Sequence, residues 1–215
     1  MRTIPQARQA ARHDTTRYAT VPRLWPGATV VCLGSGPSLN AVDIERSLGL
    51  GARYIAINDA YRLAPWADVL YACDGKWWGW HKGAPTFTGL KFTLDRHAAR
   101  WPGVQVLRVG AQRGLSLDPA RLCTGHTSGY QAINLAVLLG ASRIVLLGYD
   151  FTGTHFFGSH PDGTRPPFSL CLQAFPTMLP VLAAQGVTVL NATPSSALTA
   201  FPRVTLAAAL EEPVT

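Results

Sequence analysis

The chain has 215 residues, of which 47% are hydrophobic and only 14% are charged. This composition excludes a disordered chain and a coiled coil, because both classes carry far more charge than a packed globular core. The formal net charge is +7, and residues 1–28 contribute +4 of it through five arginines and one aspartate. Such a basic balance fits an anionic small substrate or a basic arm as well as a nucleic-acid partner.

From residue 28 onward, apolar runs of strand length alternate with helical segments, behind a basic N-terminal arm (residues 1–27) that we expect to be partly ordered. The predicted strands are Thr29–Leu33, Arg53–Ile57, Asp68–Cys73, Val104–Val109, Arg143–Leu147 and Val187–Leu190. The predicted helices run from Asn40 to about Leu50, from Ser128 to Leu139, and from Ser169 to Gln185, where Pro176 and Pro180 can break the helix. This alternation predicts one α/β domain (residues 28–215), a Rossmann-like parallel sheet flanked by helices.

Polar side chains follow most of the predicted strands directly. In a parallel sheet a ligand lies beyond the carboxyl ends of the strands, so these side chains are candidate site residues. Each of them could also be an ordinary turn or capping residue. The strand-end residues are Ser35, Ser38, Asn58, Asp59, Asp74, Tyr149, Asp150 and Asn191.

A glycine-rich loop, Gly34-Ser35-Gly36-Pro37-Ser38, follows the first predicted strand. Glycines at this point let backbone N–H groups approach a phosphate, and a following helix adds a partial positive charge. The loop lacks the lysine of a P-loop, and Leu39 stands where a dinucleotide fingerprint needs its third glycine. A tight turn without ligand is the alternative. In a nucleotide site, Asn58 or Asp59 could hold a ribose hydroxyl.

A second turn, Thr127-Ser128-Gly129, precedes an apolar helical segment. Thr127 or Ser128 is a natural N-cap, and the free N–H groups of a helix start can bind an anion. Because the helix is almost wholly apolar, we expect it to be buried and to direct its positive end into a cleft. Capping without any ligand is the alternative reading of this turn.

The segment 151–167 is polar, contains three glycines and follows a strand end, as active-site lids do. A histidine with a pKa near neutrality can deprotonate an acceptor hydroxyl, so His155, His160 and the neighbouring Asp150 are the catalytic candidates. Arg165 could pair with a phosphate. A loose metal cluster and a plain surface loop are the alternatives.

Three tryptophans lie in the segment Lys76–Lys82, interleaved with basic residues. Aromatic rings beside cations can stack on bases or sugars. Trp77 and Trp80 would share one face of a helix, which also fits ordinary packing against the sheet. The sequence leaves both interpretations open.

In their order along the chain, these motifs resemble two related families. They are the bacterial sialyltransferases of glycosyltransferase family 42 and the α/β proteins grouped with archaeal 6-hydroxymethylpterin diphosphokinases. The resemblance extends over roughly residues 28–205. The stretches that carry it are Val30–Leu39, Ala56–Asp59, Thr127–Phe151 and, more loosely, Asn191–Pro202.

The resemblance implies a sialyltransferase-like transferase with a nucleotide-sugar donor. The glycine loop Gly34–Ser38 and Asn58 would bind a cytidine nucleotide, which Thr127, Ser128 and Gly129 would also contact. His155 or His160 would be the general base, with no metal required. The chain departs from the family in two ways: the tyrosines that stabilise the leaving phosphate have no clear match, with Phe156 and Phe157 in that region, and the acceptor-binding lid is short.

Two other functions remain open at this stage. A diphosphokinase on the same scaffold would use Asp74 and Asp150 to hold Mg²⁺. A non-catalytic protein would bind nucleotides or nucleic acid through the basic arm and the tryptophans. For the transferase, the expected partners are a nucleotide or nucleotide sugar and a small-molecule or glycan acceptor.

The cysteines and the sequence ends predict the compartment. Cys32, Cys73, Cys123 and Cys171 are widely spaced and form no Cys-x-x-Cys pair, which excludes a zinc ribbon and a redox dithiol. The arginine-rich start has no signal-peptide apolar stretch, and we expect no membrane span. We therefore predict a cytoplasmic protein with reduced thiols.

Overall fold

The computed structural model describes residues 18–48, 51–163 and 167–211. In these residues seven strands form one parallel sheet in the order β5-β4-β3-β2-β1-β8-β9, and two short strands, β6 and β7, pair separately. The strands are β1 (Thr29–Leu33), β2 (Arg53–Ile57), β3 (Val69–Tyr71), β4 (Leu90–Thr93), β5 (Val104–Val106), β6 (Arg108–Val109), β7 (Arg121–Leu122), β8 (Arg143–Leu147) and β9 (Thr188–Asn191). Together with its flanking helices, this sheet is the predicted single-domain Rossmann-like α/β fold.

The strand order reverses at the centre of the sheet. β1 pairs in parallel with β2 on one side and with β8 on the other, although more than a hundred residues separate β1 from β8. The connections from β1 run outward to β5, and the chain then returns to place β8 and β9 on the opposite side. Such a reversal opens a crevice at the carboxyl ends of the two central strands.

Six α-helices flank the sheet in the described residues. They are α1 (Ala41–Ser47), α2 (Gly75–Trp80), α3 (Ser128–Leu139), α4 (Phe168–Ala174), α5 (Leu179–Ala184) and α6 (Leu206–Leu210). Asn40 caps α1 by accepting a hydrogen bond from the Asp43 amide. Thr127 caps α3, which ends at Gly140 in the left-handed conformation with φ 108°.

The core has two layers, one on each face of the sheet. Val30 and Cys32 of β1 pack in the layer that contains α3, whereas Val31 and Leu33 pack in the layer that contains Trp78 of α2. Strands buried on both faces are continuously apolar, and a helix packed on such a sheet needs little polar surface. All twelve residues of α3 are accordingly buried.

The structure confirms the predictions for the central elements. Strands at Thr29–Leu33, Arg53–Ile57 and Arg143–Leu147 and the helix at Ser128–Leu139 have the predicted bounds. The strand predicted at Asp68–Cys73 is shorter and spans Val69–Tyr71. The strand predicted at Val187–Leu190 is observed at Thr188–Asn191. The first helix ends at Ser47, and Leu50, its predicted end, lies outside the described residues.

At the periphery, one strand prediction was wrong, and one predicted helix is divided where its two prolines indicated. Val104–Val109 is not one strand: the chain breaks at Leu107, whose amide donates to the Thr93 carbonyl, and continues as β6 in the separate pair. The predicted helix Ser169–Gln185 is divided into α4, a 3-10 turn at Phe175–Met178 and α5, because Pro176 and Pro180 interrupt the α-helical hydrogen bonds.

β4 was not predicted, because a lysine interrupts its apolar pattern. Lys91 is 7% exposed and its Nζ donates to the carbonyls of Gly83 and Ala84 at 3.0 and 2.8 Å. These bonds satisfy a buried cation that the sequence pattern alone marks as a surface residue.

Most of the predicted arm, residues 1–17, lies outside the described residues. Residues 18–27 lie on the domain: Val21 and Trp25 are buried, and the Trp25 amide donates to the Leu139 carbonyl at 2.7 Å. Within the described parts of the chain, every helix is too short or too polar to traverse a lipid bilayer.

Candidate active site

A cleft of about 510 Å³ lies at the carboxyl ends of the strands, centred on the reversal between β1 and β8. Its walls come from the residues that follow β1, β2, β3, β4 and β8, from the start of α3 and from the loop after β8. Twelve of the predicted site residues line it: Gly34, Ser35, Gly36, Asn58, Asp74, Thr127, Ser128, Gly129, Tyr149, Asp150, His155 and His160. Pro37, Ser38, Asp59 and Asn191 do not line it.

The glycines of the loop after β1 allow a close approach to the turn after β8. A Cβ atom at Gly34 would lie 2.4 Å from the Gly148 carbonyl oxygen, and one at Gly36 would lie 2.0 Å from Asp150 Oδ2. The Gly34 amide donates to the Leu147 carbonyl at 2.7 Å, and the Gly36 amide donates to the Gly148 carbonyl at 2.8 Å. The two glycine amides are therefore engaged by β8 and its turn, and the loop offers a phosphate the Ser35 amide instead.

Asp150 holds the same loop with its side chain. The carboxylate is buried, and its Oδ2 accepts hydrogen bonds from Ser38 Oγ at 2.8 Å and from the Ser38 amide at 3.4 Å. Ser38 thus acts behind the cleft wall rather than on its surface. The buried carboxylate therefore positions the loop. These hydrogen bonds explain why Asp150 is buried without any catalytic role.

The start of α3 forms the opposite wall. Thr127 Oγ1 accepts from the Gly129 amide at 3.4 Å, and Ser128 Oγ accepts from the Cys73 amide at 3.4 Å. Helical geometry leaves the first amides of α3, at Ser128 and Tyr130, without intrahelical partners. These N–H groups and the helix dipole are the kind of donors that can bind an anion.

Tyr149 supports the start of α3 from beneath. Its ring is buried, its hydroxyl donates to the Gly129 carbonyl at 3.1 Å, and a Cβ at Gly129 would lie 3.0 Å from the ring. The glycine of the Thr-Ser-Gly turn therefore lets the helix start sit directly on the residue that follows β8.

Adjacent residues after β2 take different roles. Asn58 adopts the left-handed conformation with φ 50° and lines the cleft. Asp59 is buried outside it, where Oδ2 accepts from Trp77 Nε1 at 2.9 Å and Oδ1 lies 3.5 Å from His81 Nε2. Burial opposes ionisation of Asp59, but the hydrogen bonds from His81 and Trp77 outweigh it and lower the pKa. Asp59 therefore holds α2 in place from outside the cleft.

The loop after β8 carries both candidate histidines over the cleft. The Phe156 amide donates to the Ser35 carbonyl at 3.1 Å, which attaches this lid to the glycine loop. The rings of His155 and His160 lie 4.5 Å apart between centroids, and Phe157 stacks on His155. Burial and then the neighbouring His160 lower the pKa of His155. Arg165, predicted to pair with a phosphate, lies outside the described residues.

The end of the cleft beneath β3 and β4 contains Asp95, which the sequence did not point to because β4 was not predicted. Asp95 accepts from the amides of Gly75 and His97, both at 2.8 Å. Desolvation and the Asp95 carboxylate raise the pKa of Asp74. In the strand order, Asp74 follows a strand that is three positions from the strand before Asp150.

Packing accounts for two residues of the tryptophan segment, and stacking of Trp80 on a base or sugar stays a prediction. Trp77 and Trp78 are buried in the core, and Trp77 also borders the cleft. Trp80 is 39% exposed and lines the cleft beside His160, with 5.9 Å between the ring centroids. In the described residues, no group of three or more His, Cys, Asp or Glu side chains is placed to hold a metal ion.

Asn191, the remaining strand-end residue, is structural. Its side-chain Nδ2 donates to the Leu198 carbonyl at 3.1 Å, and its Oδ1 accepts from the Thr193 backbone amide at 3.1 Å. It is fully buried and orders the turn after β9 rather than the cleft.

Comparison with known proteins supports this fold assignment. The chain matches no family model, and no curated protein matches its sequence. It is similar in structure to the sialyltransferase CstII from Campylobacter jejuni, solved in complex with a substrate analogue, cytidine-5′-monophosphate. The TM-score is 0.56 at 14% sequence identity, over 88% of this chain and 89% of that one. The chain therefore has a sialyltransferase-like fold.

Proposed function

We propose that this protein is a nucleotide-dependent transferase, a sialyltransferase-like glycosyltransferase with a nucleotide-sugar donor. The observation that carries the proposal is the pairing of two walls in one cleft. The start of α3 presents amide N–H groups, and the lid opposite presents His155, whose pKa is lowered by burial. A phosphate on the first wall and a base on the second are what glycosyl transfer from a nucleotide requires.

The donor phosphate would bind at the start of α3. The amides of Ser128 and Tyr130 and the Ser35 amide would donate to its oxygens, and the helix N-terminus adds about half a positive charge. Asn58 lies next along the sheet edge and would hydrogen-bond the ribose or the base. A cytidine nucleotide is our preferred donor class because the fold resembles that of a protein solved with cytidine-5′-monophosphate.

In the transfer step, an acceptor hydroxyl oxygen would bond to the anomeric carbon of the donor sugar. The bond from that carbon to the nucleotide phosphate would break, and its electron pair would leave with the phosphate. His155 would accept the hydroxyl proton, because its lowered pKa keeps the imidazole neutral near pH of about 7. The amides of α3 would stabilise the charge on the leaving phosphate.

A thermal-shift panel tests the proposal. CMP in the presence of EDTA should raise the melting temperature, since a ligand at about 100 times its Kd adds about 2.7 kcal/mol to the stability of the fold. In a domain of this size that corresponds to roughly 5–10 °C. Cytidine, which lacks the phosphate, is the matched control and should give a much smaller shift.

The same panel distinguishes the other candidate functions. Stabilisation by ATP or GTP only when Mg²⁺ is present would favour a diphosphokinase and contradict the proposal. The absence of any nucleotide effect would favour a non-catalytic role.

A further inference from the structure

The positive charge of this chain is concentrated in two segments. Residues 1–17 contain four arginines and one aspartate, and residues 95–121 contain five arginines and two aspartates. Each segment has a net charge of +3, so together they hold +6 of the formal net charge of +7. The rest of the chain, which is most of its length, is therefore nearly neutral.

The first described residues of the chain lie against the second segment at one edge of the sheet. The Ala19 amide donates to the Val106 carbonyl at 2.8 Å, and the ring of Tyr18 lies 4.8 Å from the guanidinium carbon of Arg108. Tyr18 and Ala19, which follow the first segment in the chain, therefore lie beside β5 and β6. The five arginines of the second segment are all exposed, and we call them the arginine edge: Arg96, Arg100, Arg108, Arg113 and Arg121.

The arginine edge lies on both sides of the sheet. Arg96 and Arg100 belong to a 3-10 helix whose Ala98 packs in the core layer of α2. Arg108 and Arg121 are register partners on β6 and β7, and these strands pack in the α3 layer through Leu122. A flat bilayer would contact one side at a time, whereas a flexible polyanion can bind both sides at once.

We propose that the arginine edge binds single-stranded nucleic acid. Guanidinium groups hold phosphate oxygens in bidentate pairs, and all the cations of this edge are arginines. Two of them already lie against aromatic rings, Arg108 on Tyr18 and Arg100 on Trp101, with the latter pair 5.2 Å apart. Such flat cationic and aromatic surfaces favour base stacking alongside phosphate binding. This binding is independent of the cleft and of the function proposed for it.

Fluorescence anisotropy with the full chain and a labelled single-stranded oligonucleotide of about 20 nucleotides tests the proposal. We expect log K to fall linearly with log salt between about 50 and 200 mM, with a slope of about −0.7 for each phosphate contact. The double variant Arg100→Gln/Arg108→Gln removes one arginine from each side of the edge. It should weaken binding by about tenfold or more at the lower salt and flatten the slope by about 1.4.

The matched control is Arg46→Gln/Arg203→Gln, which removes the same charge elsewhere. Arg46 is on α1. The backbone of Arg203 forms an isolated β-bridge with Asn191 of β9, the strand at the opposite edge of the sheet. The control should keep its affinity within about twofold. Equal losses in the two variants, displacement of the oligonucleotide by excess CMP, or no oligonucleotide binding would each overturn the proposal. Binding to phosphatidylserine vesicles without oligonucleotide binding would instead assign the edge to membranes.

Discussion

The side chains of Ser38 and Asp150 join the two central turns of the sheet across its topological reversal. Ser38 Oγ donates to Asp150 Oδ2 at 2.8 Å, and Asp150 is only 4% exposed. The bond holds the loop after β1 against the turn after β8. The cleft wall between these turns is therefore built by a polar contact that neither segment can make alone.

Removing either partner should release the loop. Ser38→Ala leaves a buried carboxylate without its strongest partner and should lower the free energy of unfolding by about 1–3 kcal/mol. Asp150→Ala should act on the same contact, so the double variant should be clearly less unstable than the sum of the single variants. Urea unfolding of the four proteins measures the coupling, and additive losses would show that the two residues act separately.

Asp150→Asn separates positioning from catalysis. The asparagine has nearly the same size, and its Oδ1 can still accept a hydrogen bond from the Ser38 hydroxyl, so turnover should stay within about tenfold of the wild-type rate. A loss of roughly a hundredfold or more would assign the carboxylate a direct part in proton transfer.

Gly36→Ala should disturb the same junction through a steric clash. Its Cβ would lie 2.0 Å from Asp150 Oδ2, so the carboxylate must move. We expect a loss of about 1–3 kcal/mol in the free energy of unfolding, together with weaker CMP binding. Gly79→Ala is the control, because its Cβ would meet only Arg100 at 3.7 Å and alanine favours the helix. A tolerated Gly36→Ala would mean that the two turns are less closely packed than described.

His155→Ala should lower turnover by about 10²–10⁴-fold while CMP binding is retained. Because burial lowers the pKa of His155 below the usual value of about 6.5, kcat/KM should rise with pH, reach its plateau before neutrality and fall only on the acid side. His97→Ala alters an exposed histidine outside the cleft and should leave both turnover and CMP binding unchanged. Wild-type rates in His155→Ala would transfer the role of base to another group.

Asn58 and Asp59 provide a test at neighbouring positions. Asn58→Gly removes the side chain from the cleft, while glycine tolerates the φ of 50°, so we expect CMP affinity to fall by about tenfold. Asp59→Asn weakens the contacts to Trp77 and His81 and should lower stability while CMP affinity stays within about twofold. The reverse result, measured by calorimetric titration, would place Asp59 rather than Asn58 on the nucleotide.

The sequence predicts the central strands well because β1, β2 and β8 are buried on both faces and therefore read as unbroken apolar runs. It also predicts that the strand-end residues meet, since parallel topology brings them to one edge. It cannot show which way adjacent side chains turn, as Asn58 and Asp59 illustrate. Nor could it show that the Gly34 and Gly36 amides are used by β8, or that Lys91 lies inside a strand, because distant parts of the chain supply those partners.

A crystal structure with bound CMP tests the central claim most directly. The account predicts a phosphate within hydrogen-bond distance of the Ser128 and Tyr130 amides and the Ser35 amide, with His155 facing the side from which an acceptor would approach. A phosphate bound elsewhere on the protein, with the start of α3 blocked by side chains, would contradict it.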